Sequence, residues 1–304
     1  MRKVEVLTRR PSWNAIAVSK VRIRGASTSA TPLLGSPDRV IDRAASGGKS
    51  RETARCLKVF PVPSDLHLQR IGAVSAIATV VLFVTGGVLM GTSGVQVLIP
   101  ETGSAGREWI EDVDAAGGAF FAGAWLVILM GFVGMVALIG FYARLQSAGP
   151  VMVLAPVLGV AGLILVTVSH LLPIGMGYEL VPAYVGADPA AQQVLAATAD
   201  TLAATAVIVN YAGNFLGFGV AVPMYGAAIL FTGLLPRWIG WLGLAVGALA
   251  GWLGLLGPAS SVVEGVANIG FIGFFVFMVS MGVTILLRTR SESTLTGSVA
   301  SATP

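Results

Sequence analysis

The chain has 304 residues, 55% hydrophobic and only 11% charged, with a mean hydropathy of +0.83, which leaves too little polar surface to cover a soluble domain. Charge is segregated: residues 1–70 hold 14 of the 19 Lys and Arg against 5 acids, and the remainder holds 5 basic residues and 10 acids. A single cysteine, Cys56, excludes an intrachain disulfide and any two-cysteine redox pair.

Residues 1–68 read as a basic tail. They are rich in Arg, Ser, Gly and Pro, and "GASTSATPLLGSPDRVIDRAASGGKSRETARC" has no sustained apolar periodicity, as expected of a disordered cytoplasmic segment. No apolar run follows the first basic residues, so a secretory signal peptide is not expected. Nucleic-acid contact, attraction to anionic lipid head groups and a solvated tail that only sets orientation are the competing readings. The basic residues are scattered and only Trp13 and Phe60 are at hand for base stacking, so no nucleic-acid partner is expected. Contact with anionic lipid stays open. A start near residue 59 would leave the apolar region whole.

Six apolar stretches follow: Ile71–Leu98, Ala119–Tyr142, Val151–Leu172, Leu202–Leu235, Trp238–Leu256 and Val266–Leu287. None contains Asp, Glu, Lys or Arg, and a helix of roughly 20 such residues crosses a bilayer core. The connecting segments alternate in charge. Arg144 lies between stretches 2 and 3, Arg237 between 4 and 5, and Arg288 and Arg290 after 6. The loop 99–118 carries five acids against Arg107, the loop 173–200 has Glu179, Asp188 and Asp200, and 257–265 has Glu264. Basic loops stay cytoplasmic. The expected fold is therefore all-α, a polytopic bundle of six transmembrane helices over 69–290 with both termini cytoplasmic, and 291–304 as a disordered tail.

Turn residues refine this. Gly149–Pro150 and Pro236 stop helices in short cytoplasmic hairpins, and Asp188–Pro189 reads as an N-cap with Pro at the first helical position. Span 4 is expected to begin outside the membrane at "PAAQQVLAATAD". Trp109, Tyr178, Tyr184, Trp238 and Trp241 fall near the expected interfaces. Helices in lipid associate through small residues, which makes Gly243, Gly247 and Gly251 in span 5 and Gly213 and Gly217 in span 4 packing candidates, as are Gly87 and Gly91 in span 1. A homodimer seam is the alternative use of such a stripe.

Polar side chains inside the spans are few. Asn210 and Asn214 share a face of span 4 beside Tyr211, and buried amides need partners from other helices or from a solute. Glu264 and Asn268 enter span 6 from the same side, and His170 ends span 3 there, as a packing residue or a ligand. These six residues form the candidate polar pocket. His67 is the other histidine, so bis-His haem ligation in the bundle is excluded and no metal or cofactor is expected. "GTSG" at Gly91–Gly94 is similar to the serine motif of rhomboid intramembrane proteases, with His170 as the prospective base. In rhomboids the serine helix follows three earlier spans, whereas Ser93 ends the first, which sets that reading aside.

From Tyr225 onward, "LLPRWIGWLGLAVGALAGWLGLLGP" and a last apolar span ending at Arg288 resemble the bacterial membrane proteins grouped as domain of unknown function 4386. The shared residues are Leu235, Pro236, Arg237, Trp238, Gly240, Trp241, Leu242, Gly243 and Leu244. The resemblance implies a bacterial inner membrane and the same topology, and no activity. Expected functions are a non-enzymatic accessory or binding protein with an outward-facing pocket, then a facilitator of a small neutral or lipid-like solute, then a membrane-embedded enzyme.

Overall fold

A computed structural model describes residues 63–95 and 105–300, all within one compact unit of the chain. The basic tail to residue 62 and the last four residues lie outside the described residues. Those that are described are helical almost throughout, with no strand among them. Six helices are long and apolar enough to cross a membrane, which makes this a multi-pass membrane protein.

Helix α1 (Pro63–Ser93) is the first span, and α2 (Ala105–Ala116) is a short helix in what the sequence suggested was a loop. Then come α3 (Gly118–Leu145) and, after 3₁₀ turns at Gln146–Ala148 and Pro150–Val153, α4 (Leu154–Val185). The fourth span is α5 (Pro189–Asn214), a π-helical segment Phe215–Ala221, and α6 (Val222–Thr232). The fifth is α7 (Arg237–Val246), a second π-helical segment Gly247–Leu253, and a 3₁₀ end at Gly254–Ala259. The sixth is α8 (Ser261–Ala300). It continues past Arg290 through the segment expected as a disordered tail, because no proline interrupts its backbone ladder there.

Successive spans are neighbours, and α8 returns to pack on α1, so the six close into a ring. Glycines set the closest approaches. Gly72 meets Gly140 near one end of the α1–α3 pair and Gly86 meets Gly123 near the other, fourteen residues along α1, so the two helices stay close over about 21 Å. Gly162 of α4 abuts Gly213 and the backbone of Gly217. The stripe in the fifth span faces the fourth: Gly243 lies on Gly226, Gly247 on Pro223 and Gly251 on Gly219. Each is an intramolecular contact. Gly87 and Gly91 differ from expectation, since side chains there would meet nothing and Gly86 is the glycine that packs.

One end of the bundle is tied by arginine. Arg70 donates to the Thr289 carbonyl at 2.9 Å, Arg144 to Gln69 Oε1 at 3.4 Å and Arg288 to the Leu234 carbonyl. Gly233 ends α6 with φ +62°, and Pro236 opens α7 rather than closing the helix before it. Tyr225, Phe141, Phe277, Met281 and Ile285 are fully buried in that half and form part of one apolar core.

The opposite end carries a cap. Trp109, Ile110 and Val113 lie on one face of α2 and are buried against Phe120, Met176, Tyr184, Ala199 and Ala203, while Glu108, Glu111, Asp112 and Asp114 face outward. Trp109 and Tyr184 thus pack inside the cap instead of facing lipid, whereas Tyr178, Trp238 and Trp241 are exposed. Asp188 caps α5 by accepting from Ala190 and Ala191 N–H at 3.0 and 2.9 Å, and the helix runs unbroken from the cap into the span.

Candidate functional site

Between the fourth, fifth and sixth spans lies an open cavity of about 150 Å³ on the capped side of the ring. Its lining includes Tyr211 and Asn214 from α5, Phe218 from the first π-helical segment, Gly251 from the second, and Glu264, Asn268 and Phe271 from α8. The π-helical segments create its inner wall. Each adds a residue to a turn and turns the following side chains, here bringing Gly219 and Gly251 backbone to backbone. Carbonyls in such a segment lose their regular partner, and the Trp252 indole N–H donates to the Gly219 carbonyl at 3.1 Å. Phe215 packs edge-on against the same indole.

A chain of hydrogen bonds runs back from the cavity wall. The Ser169 hydroxyl donates to the Val166 carbonyl at 2.6 Å, which commits its only proton. Ser169 must then accept from Asn210 Nδ2, at 3.0 Å, and Asn210 Oδ1 accepts from Asn214 Nδ2 at 2.7 Å. His170 Nδ1 is 2.7 Å from the same Val166 carbonyl and so carries the proton. The direction of the whole chain follows from one backbone acceptor. Asn214 spends a donor inward and keeps its Oδ1 for the cavity.

The structure therefore gathers Tyr211, Asn214, Glu264 and Asn268 at one cavity and sets Asn210 one hydrogen bond behind it. His170 lies farther back, on its own helix, and does not line the cavity. Ser169 joins the two helices and was missed, because a serine in an apolar helix usually bonds its own preceding turn and gives no other signal. Among the described residues, the side chains of Glu264 and Asn268 and the Oδ1 of Asn214 have no protein hydrogen-bond partner. No group of three or more His, Cys, Asp or Glu comes together among the described residues.

Beyond the Phe218 ring is a smaller apolar void of about 20 Å³, lined by Thr79, Gly134, Gly159, Gly217 and Met278 among others. Thr79 turns its hydroxyl to the Ser75 carbonyl, so the void presents no polar atom. Phe218 separates the two spaces and contacts Phe271 and Phe274. Ser93, the serine of the "GTSG" segment, ends α1 with its hydroxyl on the Met90 carbonyl at 2.6 Å, and no hydrogen bond links it to His170.

At the cap, Arg107 and Glu111 pair at 2.9 Å and Tyr184 donates to Glu111 at 3.3 Å. The hydrogen bond from Arg107 holds the Glu111 carboxyl below the usual glutamate range. Asp200 accepts from the Gly106 N–H at 2.8 Å and so anchors the start of α2 to α5.

Comparison with family models, with curated proteins and with solved structures finds no match to this chain.

Proposed function

We propose that this protein, in a bacterial inner membrane with both termini cytoplasmic, binds a small hydrogen-bonding solute from the outer side in the cavity between its fourth, fifth and sixth spans. The carrying observation is a set of polar groups that line one cavity without a protein hydrogen-bond partner among the described residues: Asn214 Oδ1 at its half-buried wall, and the exposed Asn268 amide and Glu264 carboxylate toward its mouth. A polar group left unsatisfied in hydrocarbon costs roughly several kcal/mol, so an open cavity that admits water or a solute is what lets Asn214 and Asn268 stand inside a span. Orientation rests on the arginine-rich end opposite the acidic cap, and the likeness of the Tyr225–Leu287 region to domain of unknown function 4386 supports the bacterial setting. The role is binding rather than chemistry, since Ser93 and Ser169 spend their hydroxyl protons on backbone carbonyls and the cavity pairs no nucleophile with a base.

A second reading, facilitated passage, is favoured by the void beyond Phe218, which extends the cavity inward if that ring swings aside. Thiol accessibility tests the first reading. In a Cys56→Ser background, Asn268→Cys reacts with a membrane-impermeant thiol reagent added outside intact cells, while lipid-facing Ile272→Cys does not. If Asn268→Cys stays unreactive outside yet reacts in detergent, the outward cavity is wrong. Solute flux in proteoliposomes, compared between the native chain and Phe218→Ala, tests passage: an increase in the variant supports it.

A further inference from the structure

The cavity is one-sided in chemistry as well as in access. Among its lining residues one side chain carries a formal charge, the carboxylate of Glu264, and none is Lys, Arg or His. The other polar atoms favour a donor-bearing guest. Asn214 has turned a donor inward to Asn210, which leaves its Oδ1 as an acceptor at the wall, and Asn268 lies one helical turn beyond Glu264 on the same helix face. Three rings, Tyr211, Phe218 and Phe271, line the rest of it together with small and aliphatic residues of the fifth and sixth spans. Ring faces attract cations when the charge lies within roughly 6 Å of the centroid, the more so away from water.

The surroundings act in the same direction. The described outer-side segments carry eight carboxylates, Glu108, Glu111, Asp112, Asp114, Glu179, Asp188, Asp200 and Glu264, against the guanidinium of Arg107, which is paired with Glu111. Of these, Asp188 and Asp200 accept backbone N–H groups and Glu111 is paired. Glu264 has no such partner among the described residues, as is true of Asp112, Asp114 and Glu179, but of these four it is the one that lines the cavity. A field of one sign around a cleft with low-dielectric walls concentrates ions of the opposite sign.

Resting on the binding role proposed above, we infer that the occupant is a small organic cation of the amine or quaternary ammonium class, held by the Glu264 carboxylate at the mouth and by the aromatic wall of Tyr211, Phe218 and Phe271. About 150 Å³ suits a guest of a few heavy atoms and excludes a phospholipid head with its chains. Glu264 sets the charge preference and Asn214 and Asn268 take up N–H or O–H donors.

Calorimetry on the full-length protein in nanodiscs of uncharged lipid tests this with four probes: methylammonium, choline, the neutral carbon isostere of choline, and acetate. Choline or methylammonium should bind at least about tenfold more tightly than the isostere, with acetate not binding, and the preference should fall as salt rises. Glu264→Gln should erase the preference, and Glu264→Asp should retain most of it. Equal binding of choline and its isostere would overturn the cation class while leaving the cavity reading intact. Failure of all four probes would overturn both. A preference that survives Glu264→Gln would remove the role of Glu264.

Discussion

Ser169 and Asn210 join two helices through a single side-chain contact, and what that contact stabilises can be measured. Hydrogen bonds between helices in a bilayer are worth about 1 kcal/mol, because the separated helices also find partners. Ser169→Ala and Asn210→Leu should each lower unfolding stability in detergent by roughly that amount. The double variant should lose less than the sum, since the second change finds the bond already gone. Full additivity would show that the bond seen here is not shared between the two side chains. Asp188→Ala tests a simpler device. It removes both bonds to the first turn of α5 and should cost about 1 kcal/mol. Asp188 with Pro189 was legible in the sequence because a cap depends on near neighbours. Ser169 was not, since its partner is 41 residues away.

Helices α6, α7 and the π-helical segments between them and the cavity show what glycine does at the scale of an element. A side chain at Gly247 would run into the ring of Pro223, and one at Gly251 into the backbone of Gly219, which cannot give way. Gly247→Leu and Gly251→Ala should therefore destabilise the fold and lower expression. Gly87→Ala, which meets open space on α1, should leave the melting temperature unchanged or raise it, as alanine favours helix by up to about 1 kcal/mol. The two groups of glycines have the same four-residue spacing, so spacing cannot tell them apart. Only the neighbour decides. The cap helix α2 likewise has a readable amphipathic pattern, with Trp109, Ile110 and Val113 on one side and acids on the other. One of its ties to α4 is the Tyr184 hydroxyl donating to Glu111, whose folded-state carboxyl is held below its ordinary value first by Arg107 on the same helix and in smaller part by Tyr184. That contribution is present above the ordinary glutamate range and is lost as pH falls through the lowered value. Acidification below the ordinary glutamate range should loosen the cap, read as faster hydrogen exchange over 105–116. Arg107→Ala should raise the pH at which this occurs.

At the scale of the molecule, the ring of six spans places the ties of Arg70, Arg144 and Arg288 at one end and the acidic cap, with its Arg107–Glu111 pair, at the other. In a Cys56→Ser background, cysteine at Gln146 should be labelled only from the cytoplasm and cysteine at Ala187 only from outside. The reverse pattern would invert the protein in its membrane and turn the cavity inward. Number of spans, hairpin turns and charge alternation were legible in the order of residues along the chain, because lipid selects for uninterrupted apolar length and the membrane potential selects for charge, and both act on local stretches of chain. Four of the six polar residues singled out by type do line one cavity, since any polar side chain inside a span needs a partner or a solvated space. Which of them share that space, how far His170 stands back, and where Ser169 bridges two helices were decided by tertiary packing. So was the shape of the cavity itself: two π-helical segments and the Gly219–Gly251 contact rotate side chains by part of a turn, and an α-helical repeat read from sequence has no way to register that rotation.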